Sequence, residues 1–200
     1  MRLTSRWIAA LAVTLVVVAG LLALRRHGFS ARAEPLAVEA FVARHLRGLA
    51  VPAAGRAARN PVAPSPEALA AGRAHFADHC ASCHANDGSG TTEVGRNLYP
   101  KAPDMRLPAT QELTDGELFY IIENGIRFTG MPAWGNGTPE GAAESWQLVR
   151  FIRHLPRLTP REAAEMGRLN PVSPAERQER EAEERFLRGE DVTAATTPHH

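Results

Sequence analysis

Cys80-Ala81-Ser82-Cys83-His84 is the stretch of sequence that decides the fold of this chain. The two thiols are three positions apart, so on a helix both lie on one face and can reach one edge of a porphyrin. A Cys-x-x-Cys-His run is the attachment sequence of a c-type haem, and its histidine ligates the iron from the same side. The motif therefore predicts one covalent haem c, held by Cys80 and Cys83 and ligated by His84.

Two other kinds of site are open to a pair of cysteines. A zinc site normally needs four ligands, and no second Cys pair or His-x3-His run follows the motif at a suitable spacing. A thioredoxin-like dithiol occurs in a βαβ context, whereas the residues before Cys80 have the composition of a helix. The chain contains two cysteines in all, so a haem that uses both leaves none for a disulfide.

The near-neutral net charge of +1 hides an uneven distribution of charge along the 200 residues. Residues 1–60 carry nine arginines against two acidic residues, whereas residues 61–160 carry eight basic and eleven acidic residues. The N-terminal arginines are scattered around an apolar segment without interleaved aromatic residues, which argues against a nucleic-acid partner. The uneven charge and proline content favours one domain with extensions at both ends.

An uncharged apolar stretch runs from Trp7 to Leu24 and predicts a membrane anchor. As a helix its eighteen residues span about 27 Å, just enough to cross a bilayer. Ala31-Arg32-Ala33 offers the small-x-small pattern of a signal-peptide cleavage site. However, the apolar run is longer than the usual apolar region of a signal peptide, and basic residues lie between it and that site. We expect an uncleaved anchor and keep a signal peptide as the alternative.

Capping patterns and turn residues predict where the helices of the chain begin and end. Residues 36–49 have apolar residues on one face, which predicts a short amphipathic helix, and a linker rich in Ala and Pro follows. A helix that begins at Ser65-Pro66 runs through the cysteine motif. Further helix starts are expected at Thr114, Thr138, Thr159 and Ser173, the last two opening polar helices. The expected division is residues 1–33 (anchor or signal peptide), 34–63 (amphipathic segment and linker), 64–158 (haem domain) and 159–200 (charged helical extension and tail).

A haem iron that carries electrons without binding gases needs a sixth ligand, and methionine is the usual partner of histidine in this role. Met131 lies 47 positions after His84, in a loop bounded by Gly and Pro between two apolar helices. It is the best candidate for the second axial ligand. Met105 is the alternative thioether, and a bis-histidine iron would use His75, His79 or His154.

Four sequence features together resemble a monohaem class I cytochrome c: Gly72-x3-Phe76, the Cys80–His84 motif, Asp87-Gly88-Ser89-Gly90 and Gly130-Met131-Pro132-Ala133-Trp134. The resemblance covers roughly residues 64–156 and implies an all-α domain around the haem. It implies that Gly72 and Phe76 pack against an aromatic residue of the last helix, which we expect to be Trp146, with Phe151 nearby.

The resemblance also implies contacts around the haem itself. In this family a proline carbonyl accepts the N–H of the proximal histidine; here the expected residue is Pro103, with Pro100 as the alternative. Trp134 is expected at the haem, where it packs on the edge or reaches a propionate through its indole N–H.

The location of the domain is implied by the resemblance as well. The arginines after the apolar stretch outnumber those before it, so the positive-inside rule alone would keep the domain in the cytoplasm. Proteins with this motif are exported before the haem is attached, so the resemblance implies a single-pass cytoplasmic-membrane protein with an extracytoplasmic (periplasmic) haem domain. The arginines near the membrane would then rest against anionic lipid headgroups.

The expected function is therefore one-electron transfer in an extracytoplasmic respiratory or other redox chain. The chain by itself is expected to be an electron-transfer protein, without enzymatic activity or a small-molecule substrate, and its partners are expected to be redox proteins. Two alternatives stay open. In the first, the chain would be a haem subunit of a larger oxidase or dehydrogenase complex. In the second, it would be a gas-binding or sensing haem protein.

Overall fold

The computed structural model describes residues 2–28, 30–172 and 174–189, and within these ranges it contains helices and no strand. This confirms the expected all-α fold. The helices are α1 (Arg2–His27), α2 (Ala37–Ala50), α3 (Ala53–Ala57), α4 (Pro66–His75), α5 (Ala81–His84), α6 (Glu93–Asn97), α7 (Pro108–Gln111), α8 (Asp115–Asn124), α9 (Pro139–His154), α10 (Pro160–Met166) and α11 (Pro174–Leu187). A π-helical turn (Phe76–Cys80) joins α4 to α5, and a 3₁₀ turn (Leu155–Arg157) follows α9.

Helix α1 carries the apolar stretch near the N-terminus. Its window Arg6–Ala23 has a mean hydropathy of 2.2 and is not buried against the rest of the described chain. By length and composition this helix can cross a membrane, as a membrane anchor would. A core helix of a soluble protein would instead bury such a surface.

The cysteine motif lies at the end of a continuous helical segment, as its sequence predicts. The segment begins at Ser65, whose Oγ accepts a hydrogen bond from the Ala68 N–H at 3.1 Å, and Pro66 occupies the first turn. It continues through the π-helical turn and ends after His84, because Ala85 has a positive φ of 60°. Both cysteines and His84 therefore lie in its last turns.

The core forms where α4 crosses α9. The Phe76 and Phe151 rings are fully buried, with centroids 5.2 Å apart, and a Cβ at Gly72 would overlap the Gln147 carbonyl oxygen. The aromatic partner is thus Phe151, and the expectation of Trp146 was wrong. Gln147 and Phe151 are one helical turn apart and share the face toward α4, whereas Trp146 is rotated toward α8. There it stacks on Phe119 at 4.0 Å.

Gly72→Ala should destabilise the protein because the added methyl group has no space at the α4–α9 crossing. Overpacking of this kind costs about 1–3 kcal/mol, and the obstacle here is backbone, which cannot rotate away. Gly48→Ala is the matched control in another helix, since a Cβ there meets no described atom within 4 Å. Chemical denaturation of both variants measures the effect. Equal stability of the two variants would contradict this packing.

The segment before α4, predicted as a linker, contacts the haem domain. Val51 is buried, and the Asn60 side-chain amide donates to the Trp146 carbonyl at 2.9 Å. The Arg150 guanidinium donates to the Val62 carbonyl at 2.6 Å. These contacts join residues 86 and 88 positions apart, so no local sequence pattern announces them.

Helix α10 also packs on the domain, beyond the expected boundary at residue 158. Met166 is fully buried in the same core as Phe76. His154 Nε2 and Glu162 Oε1 are 3.0 Å apart, and Arg73 pairs with Glu165 at 3.4 Å. Helix α11, by contrast, exposes both of its large apolar residues, Phe186 and Leu187. Ser173, the expected start of α11, and the terminal pair His199 and His200 lie outside the described residues.

Candidate haem site

A cavity of about 330 Å³ opens beside the cysteine motif and is lined mostly by apolar side chains. All six residues expected at the haem line it: Cys80, Cys83, His84, Pro103, Met131 and Trp134. They come from the end of the α4–α5 helical segment, from the loop after α6 and from the loop between α8 and α9. The fold thus brings together residues that are separated by up to 54 positions in the sequence.

The two cysteines are not joined by a disulfide, and both lie at the wall of this cavity. Burial, with a smaller contribution from Cys83, raises the pKa of the Cys80 thiol to about 12. Zinc binding and dithiol redox chemistry both use thiolates, and reactive cysteines have lowered pKa values. No group of three or more His, Cys, Asp or Glu side chains in the described ranges could hold a metal ion. This environment suits neutral thioethers better than either alternative.

His84 is 7 % exposed at the end of α5. Burial lowers the pKa of its imidazole, and the nearby Pro103 carbonyl raises it by a smaller amount. The net effect favours the neutral ring, which is the form that ligates metals. Its Nδ1 is buried and has no hydrogen bond of ordinary geometry to the described residues, although Pro103 is adjacent. A buried polar atom of this kind needs a partner, and the expected one is that carbonyl.

The loop that carries Met131 is tied to the end of α8. The Ile126 N–H donates to the Met131 carbonyl at 3.1 Å, and the Met131 N–H donates to Thr129 Oγ1 at 3.1 Å. Gly125 ends α8 with a φ of +65°, and a Cβ there would come within 2.7 Å of the Met131 carbonyl oxygen. Only glycine suits this combination of positive φ and close approach. The tight turn therefore returns Met131 to the cavity.

Trp134 follows Met131 at the rim of the cavity. Its backbone N–H donates to the Ile122 carbonyl at 3.0 Å, which fixes this end of the loop to α8 as well. The indole is 38 % exposed and meets the His79 ring edge-on, with centroids 5.1 Å apart. Trp134 thus lies between the cavity and solvent, where the expected contact with a haem edge could form.

Most of the residues considered as alternatives to Met131 for the second iron ligand lie away from the cavity. Met105 packs against the hydrophobic core, and its backbone N–H donates to the Gly88 carbonyl at 2.8 Å. His154 pairs with Glu162, and His75 lies beside the His79 ring at 4.8 Å. His79 lines the cavity as Met131 does. Of these alternative ligands, His79 is thus the one that lines the cavity, and Met131 is the methionine that lines it.

One wall of the cavity consists of residues that the sequence analysis missed. Pro35 contributes to it, as do Glu39, Ala40 and Ala43 of α2, next to a loop that carries Tyr99. The Tyr99 hydroxyl donates to Glu39 Oε2 at 2.7 Å across this boundary. The amphipathic pattern predicted α2 itself. A single exposed hydrogen bond between residues 60 positions apart, however, leaves no local signal in the sequence.

Tyr99→Phe should raise the pKa of Glu39 toward its ordinary value of 4.5. The Tyr99 hydroxyl is the main cause of the lowered pKa, and the Leu36 N–H adds to it. Because the folded-state pKa of Glu39 is lowered, the contact stabilises the fold at pH values above the unfolded-state pKa. This stabilisation is lost as the pH falls through the folded-state pKa. An NMR titration of Glu39 measures the shift. Tyr120→Phe, at the other tyrosine of the chain, should leave the pKa unchanged, and an equal effect of both would contradict the contact.

These observations fit a covalent haem at this site. An apolar cavity is bordered on one side by two thiols and a buried neutral imidazole, whose Nδ1 has a carbonyl beside it. A methionine from a separate, glycine-constrained loop reaches the same cavity. Two thioether-forming thiols, an imidazole and a thioether are the donor set of a His/Met c-type haem.

Comparison with known proteins agrees with this geometry. Residues 67–152 match the family model described as cytochrome C oxidase, cbb3-type, subunit III. The match covers less than half of the 200 residues and runs from the first turn of α4 almost to the end of α9. No curated protein matches the chain. The expected resemblance is confirmed: residues 67–152 are a class I c-type cytochrome domain, whose role is electron transfer with a c-type haem.

Proposed function

We propose that the protein is a one-electron carrier with a single covalent haem c, ligated by His84 and Met131. The observation that supports this most strongly is the shared cavity. Residues of the cysteine motif and a methionine 47 positions away line the same apolar space, although nothing in the local sequence requires them to meet. The lowered pKa of His84 favours its neutral imidazole, the form that can ligate iron, at the wall of that space.

Each residue has a separate part in this proposal. Cys80 and Cys83 would hold the haem through thioether bonds, and His84 and Met131 would supply a nitrogen and a sulfur ligand to its iron. Pro103 orients the imidazole through its carbonyl, and Trp134 covers the edge of the cavity that faces solvent. A bound haem supplies reversible Fe(III)/Fe(II) cycling, at a potential that methionine ligation raises. The apolar wall excludes water from the site.

Carbon monoxide binding separates this carrier from a gas-binding or sensing protein. With His84 and Met131 both ligated, the ferrous protein should bind little carbon monoxide at neutral pH, because no coordination position is open. The absorption spectrum before and after addition of the gas measures this. Rapid and complete binding would contradict the carrier and favour the sensor.

A haem subunit of a larger oxidase is the second candidate, and the similarity to a family of oxidase subunits favours it. The two candidates share their haem chemistry and differ in their partners. Purification of the full chain in mild detergent from its native membrane tests the difference. Constant stoichiometry with other redox proteins supports the subunit, whereas recovery of the chain alone supports the independent carrier.

We also propose that α1 anchors the protein in the cytoplasmic membrane with the haem domain on the extracytoplasmic side. The exposed apolar helix supports the anchor, and the need for export before haem attachment supports the orientation. A reporter fused after Ala33 should be active only outside the cytoplasm. Activity confined to the cytoplasm would overturn the orientation and leave the anchor intact.

A further inference from the structure

Helix α2 turns its small and polar side toward the haem domain. Glu39, Ala40 and Ala43 lie on this side and line the cavity, and Glu39 accepts the hydrogen bond from Tyr99. The connector before α2 is attached to the domain as well. Lys101 Nζ donates to the carbonyl of Ala31 at 3.0 Å and to that of Arg32 at 3.2 Å. The helix is thus docked on the domain through its less hydrophobic face.

The opposite face of α2 is apolar and exposed. Val38, Phe41 and Val42 are 63 %, 54 % and 45 % exposed, and at 100° per residue they lie on the side away from the cavity. His45 shares this face, but its Nδ1 donates to the Phe41 carbonyl at 2.8 Å and its ring contacts the Phe41 ring. A helix on the surface of a soluble domain normally buries its apolar face, and α2 has the reverse orientation.

The position of α2 in the chain indicates what covers this face. Nine residues separate the end of α1 at His27 from the start of α2 at Ala37, so α2 begins within about 35 Å of the membrane-spanning candidate. Arg25 and Arg26 lie in the last turn of α1 and Arg32 lies in the connector, and all three are exposed. Basic residues next to a membrane span attract anionic headgroups. The apolar face of α2 follows these arginines closely in the chain, so it is within reach of the same lipid surface.

We infer that α2 lies in the headgroup region of the membrane, with Val38, Phe41 and Val42 at the boundary of the acyl chains. This inference rests on the proposal that α1 crosses the membrane. It goes beyond anchoring, because α2 contacts lipid on one face and the haem cavity on the other. The domain is therefore held in one orientation, with the α2 wall of the cavity toward the bilayer. A redox partner then reaches the haem from the sides that α2 leaves open.

Site-directed spin labelling of the full-length holoprotein tests the inference. Val38→Cys and Val42→Cys place a label on the proposed lipid face, and Val94→Cys is the matched control, an exposed valine on α6. Because the haem uses both native thiols, each variant carries one reactive cysteine. The protein is reconstituted into vesicles of phosphatidylcholine and phosphatidylglycerol. Accessibility of each label to oxygen, which partitions into lipid, is compared with accessibility to a water-soluble nickel chelate.

The labels at 38 and 42 should show a several-fold higher ratio of oxygen to nickel accessibility than the label at 94. Equal, water-like ratios at all three positions would overturn the inference. Labels at 38 and 42 that are shielded from both reagents would also overturn it, because another protein surface would then cover α2. The haem spectrum of the same samples reports on the proposed function separately. A normal spectrum with water-exposed labels refutes lipid contact alone.

Discussion

Replacement of Cys80 or Cys83 by alanine should remove most of the holoprotein. Each thiol lines the cavity, and each substitution would delete one of the two proposed covalent bonds to the haem. A small domain has limited apolar surface of its own to bury, so we expect haem attachment and folding to be linked. We expect the amount of haem-stained protein to fall by about tenfold or more, because chains without the complete motif would lack attached haem and the stability it provides.

Ser82→Ala is the matched control for this prediction. Ser82 lies between the two cysteines but is exposed, so its replacement preserves the spacing and the cavity. Haem staining of a denaturing gel, together with total protein from an immunoblot, measures attachment in each variant. Wild-type staining of both cysteine variants would contradict covalent attachment through this motif.

Met131→Leu should open the sixth coordination position with little change in side-chain volume. We expect the reduction potential to fall by on the order of 0.1 V, within the roughly 0.8 V range that axial ligands span. The ferrous variant should bind carbon monoxide, unlike the wild type. Because Leu and Met have similar sizes, the cost in folding stability should stay below about 1.5 kcal/mol, so the variant remains measurable.

Met105→Leu provides the control, since Met105 packs against the hydrophobic core. Its spectrum, potential and response to carbon monoxide should match those of the wild type. If Met105→Leu changed the potential and Met131→Leu did not, the ligand assignment would be reversed. If neither variant changed it, His79 would be the next residue to replace, because it also lines the cavity.

The sequence predicted those parts of the fold that depend on local signals. The caps at Ser65, Thr114, Thr138 and Thr159 each accept a hydrogen bond from the first turn of the helix that follows. Such signals require only neighbouring residues, so a single sequence contains them. The cysteine motif is equally local. The assignment of haem-contacting residues from the motif and the resemblance stays a prediction, which the shared cavity supports.

Contacts between distant segments were harder to predict. Trp146 and Phe151 are both aromatic residues of α9, and only the rotation of α9 against α4 decides which of them meets Phe76. Met166 looked like part of a polar extension, yet it is buried in the core. The amphipathic pattern of α2 gave its helical state but not the side that faces the domain. In each case the outcome depends on packing between elements, which local periodicity does not encode.

A spectroelectrochemical titration of the purified full-length protein tests the central claim most directly. Absorption spectra recorded across the potential range report the ligation of the iron and the number of electrons together. We predict one reversible one-electron transition, with a low-spin, six-coordinate haem spectrum in both oxidation states. The absence of covalent haem, or a high-spin ferrous spectrum with an open coordination position, would contradict a His84/Met131 electron carrier.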